Sequence, residues 1–127
     1  MQRSVLIVDD IPFVRKTLSQ ILTEAHYTVV GEAADGPSAV DMFRRHHPDL
    51  VLMDIVMPGL SGIEAARKIL EIDKQARIIM VTAMGQETLL MDSIAVGAKN
   101  YIMKPFQPQQ ILKAVEHVFA VEENEGR

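Results

Sequence analysis

No cysteine occurs among the 127 residues, so disulfide bonds and thiolate metal sites are both excluded. Long apolar runs are missing too. No stretch approaches the roughly 20 residues needed to cross a bilayer, which excludes membrane insertion by a helix. Basic clusters are also absent. Lys and Arg number 13 against 17 Asp and Glu, a formal net charge of -4, and no stripe of them could neutralise a row of phosphates. Direct nucleic-acid binding is therefore not expected. Met1-Gln2-Arg3-Ser4 passes straight into a short apolar segment without the pattern of a signal peptide, which sets the expectation of a cytoplasmic protein.

What is present fits one packed domain. Hydrophobic residues make up 48% and charged residues 24%, ordinary usage for a globular chain whose length leaves no room for a second core. Apolar runs of strand length, Val5–Val8, Thr28–Val30, Leu50–Met53, Ile78–Val81 and Tyr101–Met103, alternate with longer segments of helical period. Helices are predicted near 11–26, 37–47, 62–73, 86–97 and 107–121. Pro12, Gly36-Pro37, the capping-box pair Ser61 and Glu64, and Gln107-Pro108 mark starts; Gly97 marks an end.

A repeated β-α unit implies a parallel sheet covered on both faces, with right-handed crossovers. The first, third and fourth strands are continuously apolar, as interior strands should be, whereas the second soon meets Gly31-Glu32 and the fifth is short. The pattern predicts a flavodoxin-like, doubly wound five-stranded sheet of order 2-1-3-4-5 with five helices. In such sheets ligands sit beyond the carboxyl ends of the strands, where the order reverses.

That rule draws attention to Asp9 and Asp10 after strand one and Asp54 after strand three. In the predicted order their strand ends are neighbours, and three carboxylates in one crevice raise each other's pKa unless a cation compensates. A hard divalent ion such as magnesium, which takes oxygen ligands, is the natural partner. Taken alone, Asp9-Asp10 would equally serve as a helix cap and dipole complement. Thr82 and Lys104 end the fourth and fifth strands on the same rim, where a hydroxyl and an ammonium could hold a phosphoryl oxygen. Their plain alternatives are a strand-forming threonine and a solvated lysine in a proline turn.

With those residues in view, the chain resembles the receiver domain of bacterial response regulators over essentially its whole length. The likeness rests on Val8-Asp9-Asp10, on Asp54-Ile55-Val56-Met57-Pro58 with Gly62, on Thr82-Ala83 and on Lys104-Pro105. Within that family, Thr82-Ala83-Met84-Gly85-Gln86 and Lys104-Pro105-Phe106-Gln107-Pro108 are similar to the CheY type of chemotaxis regulator.

The resemblance implies a receiver domain over residues 1–121 followed by a polar tail, 122–127. It implies Asp54 as phosphoacceptor and Asp10 and Asp54 as direct magnesium ligands, with Asp9 a ligand through water and the Val56 carbonyl a further ligand; manganese could replace magnesium. Thr82 would contact the phosphoryl group, Lys104 would pair with it, and Tyr101 would be an aromatic switch; the Lys104-Pro105 bond would be cis. Without the resemblance, Tyr101 reads as a half-buried edge aromatic.

The implied partners are a histidine kinase, a downstream target such as a flagellar motor switch protein, and a phosphatase. The target would bind through helix four, strand five and helix five. Helix four carries Leu89, Leu90, Met91, Ile94, Ala95 and Val96, an arc wide enough for a partner surface but equally open to deep packing. Val56 and Met84, which would flank the phosphoryl group, are apolar and cannot orient an attacking water, so self-dephosphorylation is expected to be slow. His26, His46, His47 and His117 lie in or beside predicted helices away from the strand ends and read as ordinary helix-face residues.

Two enzyme-like alternatives lack their motifs. A haloacid-dehalogenase-type phosphatase needs a second Asp two positions after the first, where this chain has Ile11 or Val56. A flavodoxin phosphate loop would not contain Asp9-Asp10-Ile11-Pro12. The remaining alternative is a receiver fragment of a longer regulator with a DNA-binding or methylesterase output.

Overall fold

The computed structural model describes residues 2–125. Five strands, β1 Ser4–Val8, β2 Thr28–Ala33, β3 Leu50–Asp54, β4 Ile78–Ala83 and β5 Asn100–Lys104, alternate with five helices. The helices are α1 Pro12–Glu24, α2 Gly36–His46, α3 Gly62–Ile72, α4 Glu87–Val96 and α5 Pro108–Glu125. All strand pairs are parallel and the order is β2-β1-β3-β4-β5. This is the doubly wound order read from the apolar runs.

The sheet divides two apolar layers. Residues of alternate parity on β1, β3 and β4 face opposite ways. Leu6, Val51, Met53, Ile78 and Met80 pack with Phe43 of α2 and Ala65, Ala66 and Ile69 of α3. Val5, Ile7, Leu50, Leu52, Ile79 and Val81 pack with Leu18 and Leu22 of α1 and Ile111, Val115 and Phe119 of α5. Each such side chain removed from water contributes about 1.5–3 kcal/mol before conformational entropy is charged against it.

Local chemistry sets the helix ends. Asp35 and Ser61 cap α2 and α3 by accepting from the Ser38 and Glu64 amides. Gly97 ends α4 at φ +133°. Two further ends fall short of the predicted ones. His26 lies beyond α1 at φ +71°, and His47 beyond α2 at φ +43°, so both are left-handed residues past a helix rather than helix-face residues.

At the other end of the chain, α5 runs on to Glu125, through part of the predicted polar tail. Glutamate is a good helix former and needs no apolar face to extend a helix already begun. Gly126 and Arg127 of that tail lie outside the described residues. β2 also outruns its apolar segment. Its register slips between Val5 and Leu6, placing Gly31 opposite Leu6, and pairing then continues to Ala33. Among the described residues no helix is long and apolar enough to cross a membrane.

Candidate functional site

The parallel strands deliver their last residues to one rim. Asp9 and Asp10 follow β1 directly, Asp54 is the last residue of β3, Thr82 and Ala83 close β4, and Lys104 closes β5. Asp54 stands in register with Val81. Oxygens of Asp9, Asp10 and Asp54 all lie within 4.8 Å of one another. The three-carboxylate cluster predicted from strand order is therefore assembled.

Each acid is held differently. Asp9 is 1% exposed; its Oδ1 accepts from the Ile11 amide at 2.9 Å and its Oδ2 from Lys104 Nζ at 2.9 Å. Asp10 is half-buried and makes no cap to α1, whose N-cap is Ile11 without any side-chain hydrogen bond. Helix capping thus does not account for the pair. Asp54, 6% exposed, lies with its Oδ2 3.6 Å from Lys104 Nζ.

Burial, above all, pushes the Asp54 carboxyl up to about 6, and the charges of Asp9 and Asp10 push the same way. Lys104 and a hydrogen bond from the Val56 amide oppose the rise without cancelling it. One ammonium does not balance three carboxylates. The donor set is hard, all oxygen and net negative, which fits a magnesium ion retaining several waters.

The rest of the rim lies where the sequence places it. Thr82 is buried, and its hydroxyl donates to Gln86 Oε1 at 3.0 Å. The Lys104-Pro105 bond is cis. Val56, two residues after Asp54, and Met84, two residues after Thr82, present apolar side chains to solvent at 48% and 76% exposure. Tyr101 is exposed on β5, one strand away from Thr82. Of α4, Leu90 is buried while Leu89, Met91 and Ile94 stay exposed, so deep packing does not explain its apolar arc.

Three contributors were not legible as such. Arg15 Nη1 donates to the Asp9 carbonyl at 2.6 Å and its Nε reaches Glu32 Oε1 at 3.4 Å, tying the first acid to α1 and β2. Arg15 is in the first turn of α1, from which a long side chain can reach back to the end of β1, and counting from Pro12 could find it. Gly62 lies so close to β3 that a Cβ there would come 2.0 Å from the Asp54 carbonyl. Gln86 reads as the first residue of the helix predicted at 86–97, whereas α4 starts at Glu87 with Gln86 as its N-cap; no periodicity marks its contact with Thr82.

Comparison with known proteins agrees with this geometry. Residues 5–116 match the family described as the response regulator receiver domain. The chain is 46% identical over 118 residues to the chemotaxis protein CheY of Thermotoga maritima, covering 93% of this chain and 98% of that protein. It is 48% identical over 115 residues to the chemotaxis protein CheY of Bacillus subtilis, covering 91% and 96%. A chain in the crystal structure of the CheX-CheY-BeF3-Mg2+ complex from Borrelia burgdorferi superposes with a TM-score of 0.88 at 42% identity, covering 92% of this chain and 89% of that one.

Proposed function

This chain belongs to the response regulator receiver family of two-component signalling, and on that premise we propose that Asp54 is its phosphoacceptor. The observation that carries the assignment is the meeting of Asp9, Asp10, Asp54 and Lys104 at one end of the sheet. A carboxylate nucleophile needs a site that balances its own charge and that of the incoming phosphoryl group.

An Asp54 carboxylate oxygen attacks the phosphorus of a phosphohistidine on a partner kinase. A P–O bond forms, the P–N bond breaks, and the imidazole leaves with the electron pair, giving an acyl phosphate. Lys104 follows the developing charge, exchanging part of its pairing with Asp9 for a phosphoryl oxygen. Thr82 donates its hydroxyl to another oxygen, and its departure from the resting position makes room for Tyr101 to turn inward. Asp10, Asp54 and the Val56 carbonyl would hold magnesium directly and Asp9 through water. When bound, that ion offsets the charge on the acids and on the phosphoryl oxygens.

Phosphorylation biases a signalling switch whose output face is the exposed arc of α4 with β5 and α5. Likeness to CheY proteins along nearly their whole length supports a chemotaxis role; the target we assign to that face is a flagellar motor switch protein. A CheX-CheY complex among the similar structures supports a protein partner that binds the receiver; we assign a separate phosphatase to this chain because apolar Val56 and Met84 cannot orient an attacking water. The deciding experiment is incubation with a small phosphodonor and magnesium, followed by intact mass measurement. The wild type should gain one phosphoryl group and Asp54→Asn none; a gain in the variant would move the acceptor elsewhere.

A further inference from the structure

We propose that Gln86 is a positioning residue for the phosphorylation site: its side-chain oxygen holds the Thr82 hydroxyl in the resting state and thereby restrains the switch. The inference rests on the phosphoacceptor reading above. Gln86 is the N-cap residue of α4, yet its side chain makes no cap to its own helix. Instead it folds back onto the end of β4. Its Oε1 accepts from the Thr82 hydroxyl at 3.0 Å and from the Ala83 amide at 3.2 Å. A backbone N–H can only donate, so the oxygen, not the amide nitrogen, must face β4.

The Thr82 hydroxyl has a single proton to donate. Its other acceptor, the Ala83 carbonyl, is a longer 3.4 Å away. Donation to a phosphoryl oxygen on Asp54 therefore requires the Gln86 bond to break. Because Thr82 is buried, water does not stand ready to replace that partner at no cost. Gln86 thus competes directly with the phosphoryl group for one proton. It also sits where release would matter. Gly85 stands at φ +90°, and a Cβ added there would meet no atom within 4 Å, so no neighbouring atom packs against that point of the turn joining β4 to α4. The exposed apolar residues of α4 follow at once.

Removing the restraint should favour the phosphorylated arrangement. The rate of phosphorylation by a small phosphodonor with magnesium, read by intact mass, should rise about three- to tenfold in Gln86→Ala, the range expected for one hydrogen bond. Gln86→Glu keeps an oxygen acceptor and should bring the rate back to the wild-type value or below it. In a Thr82→Val background, which has no hydroxyl to restrain, Gln86→Ala should leave the rate unchanged. A merely structural Gln86 would act equally in both backgrounds, and that result would overturn the proposal; so would an unchanged or lower rate in Gln86→Ala itself. Hydrogen exchange at the Ala83 amide reads the resting contact independently of phosphorylation, and should quicken in Gln86→Ala. No quickening would overturn the proposal even if the wild type failed to gain a phosphoryl group, a failure that would count against Asp54 as acceptor instead.

Discussion

At the scale of single residues, the cost of the site is concentrated in Asp54. Its carboxyl is raised from the ordinary range to about 6, chiefly by burial. The folded state therefore binds that proton more tightly than the unfolded state, and its stability falls as pH rises from about 4 through about 6. Replacing Asp54 by Asn removes the ionisation. With a chelator present, Asp54→Asn should be more stable than the wild type at pH 7.5 by about 1–3 kcal/mol, and the gap should close below about pH 4. Denaturant melts at several pH values would measure it; an equal gap at all pH values would show that ionisation is not the cause. Two apolar residues set a second expectation. Val56 and Met84 are exposed but apolar, so on the function proposed above neither could hold a water for attack on an Asp54 acyl phosphate. Val56→Asn combined with Met84→Glu should shorten the phosphoryl lifetime about tenfold or more. The decay of phosphoprotein after donor removal gives the number.

At the scale of elements, the strand ends create the site, and the elements beside them hold it in place. Gly62 begins α3 under β3, and its amide donates to the Ile55 carbonyl at 2.7 Å. A methyl group there would collide with the Asp54 carbonyl, so Gly62→Ala should cost about 3 kcal/mol or more and slow phosphorylation by moving Asp54; chemical denaturation and the intact-mass assay test the two effects. The neighbouring α4 shows the opposite condition, a face left uncovered. Met91 is 68% exposed, so Met91→Ser should change stability by less than about 1 kcal/mol while weakening pulldown of a target by the phosphorylated form. The strand order was legible because burial on both sheet faces leaves unbroken apolar runs, Val5–Val8, Leu50–Met53 and Ile78–Val81, in β1, β3 and β4. The three acids and Lys104 were legible because strand ends in a known order must meet. The full length of β2 was not, since Gly31-Glu32 looks like an ending and only the slip opposite Leu6 shows that pairing continues. Gln86 was hidden for a related reason: a side chain that folds back from a turn leaves no trace in periodicity.

At the scale of the whole molecule, the chemistry and much of the tertiary anchoring lie at opposite ends of the strands. The acids and Lys104 follow the carboxyl ends. Arg3, just before β1, lies with its guanidinium 4.0 Å from the Phe119 ring centroid, and that of Arg77, just before β4, lies 5.1 Å away. Tyr27 stacks on the same ring at 6.4 Å. Ser4 and Asp49 exchange hydrogen bonds at that end, and Arg77 donates to the Asp49 carbonyl. Phe119 thus fastens α5 to the sheet far along the strands from Asp54. Phe119→Ala should cost about 3–5 kcal/mol by loss of burial and by the cavity left behind, a fall in melting temperature of about 10 °C or more. The phosphorylation rate at 20 °C should nonetheless stay within about twofold of wild type. Parallel losses of stability and rate would mean that the α1–α5 layer transmits to the site; a stability loss alone would show that the carboxyl rim is organised by its own local contacts, among them Arg15 on Asp9, Gly62 under Asp54 and Gln86 on Thr82.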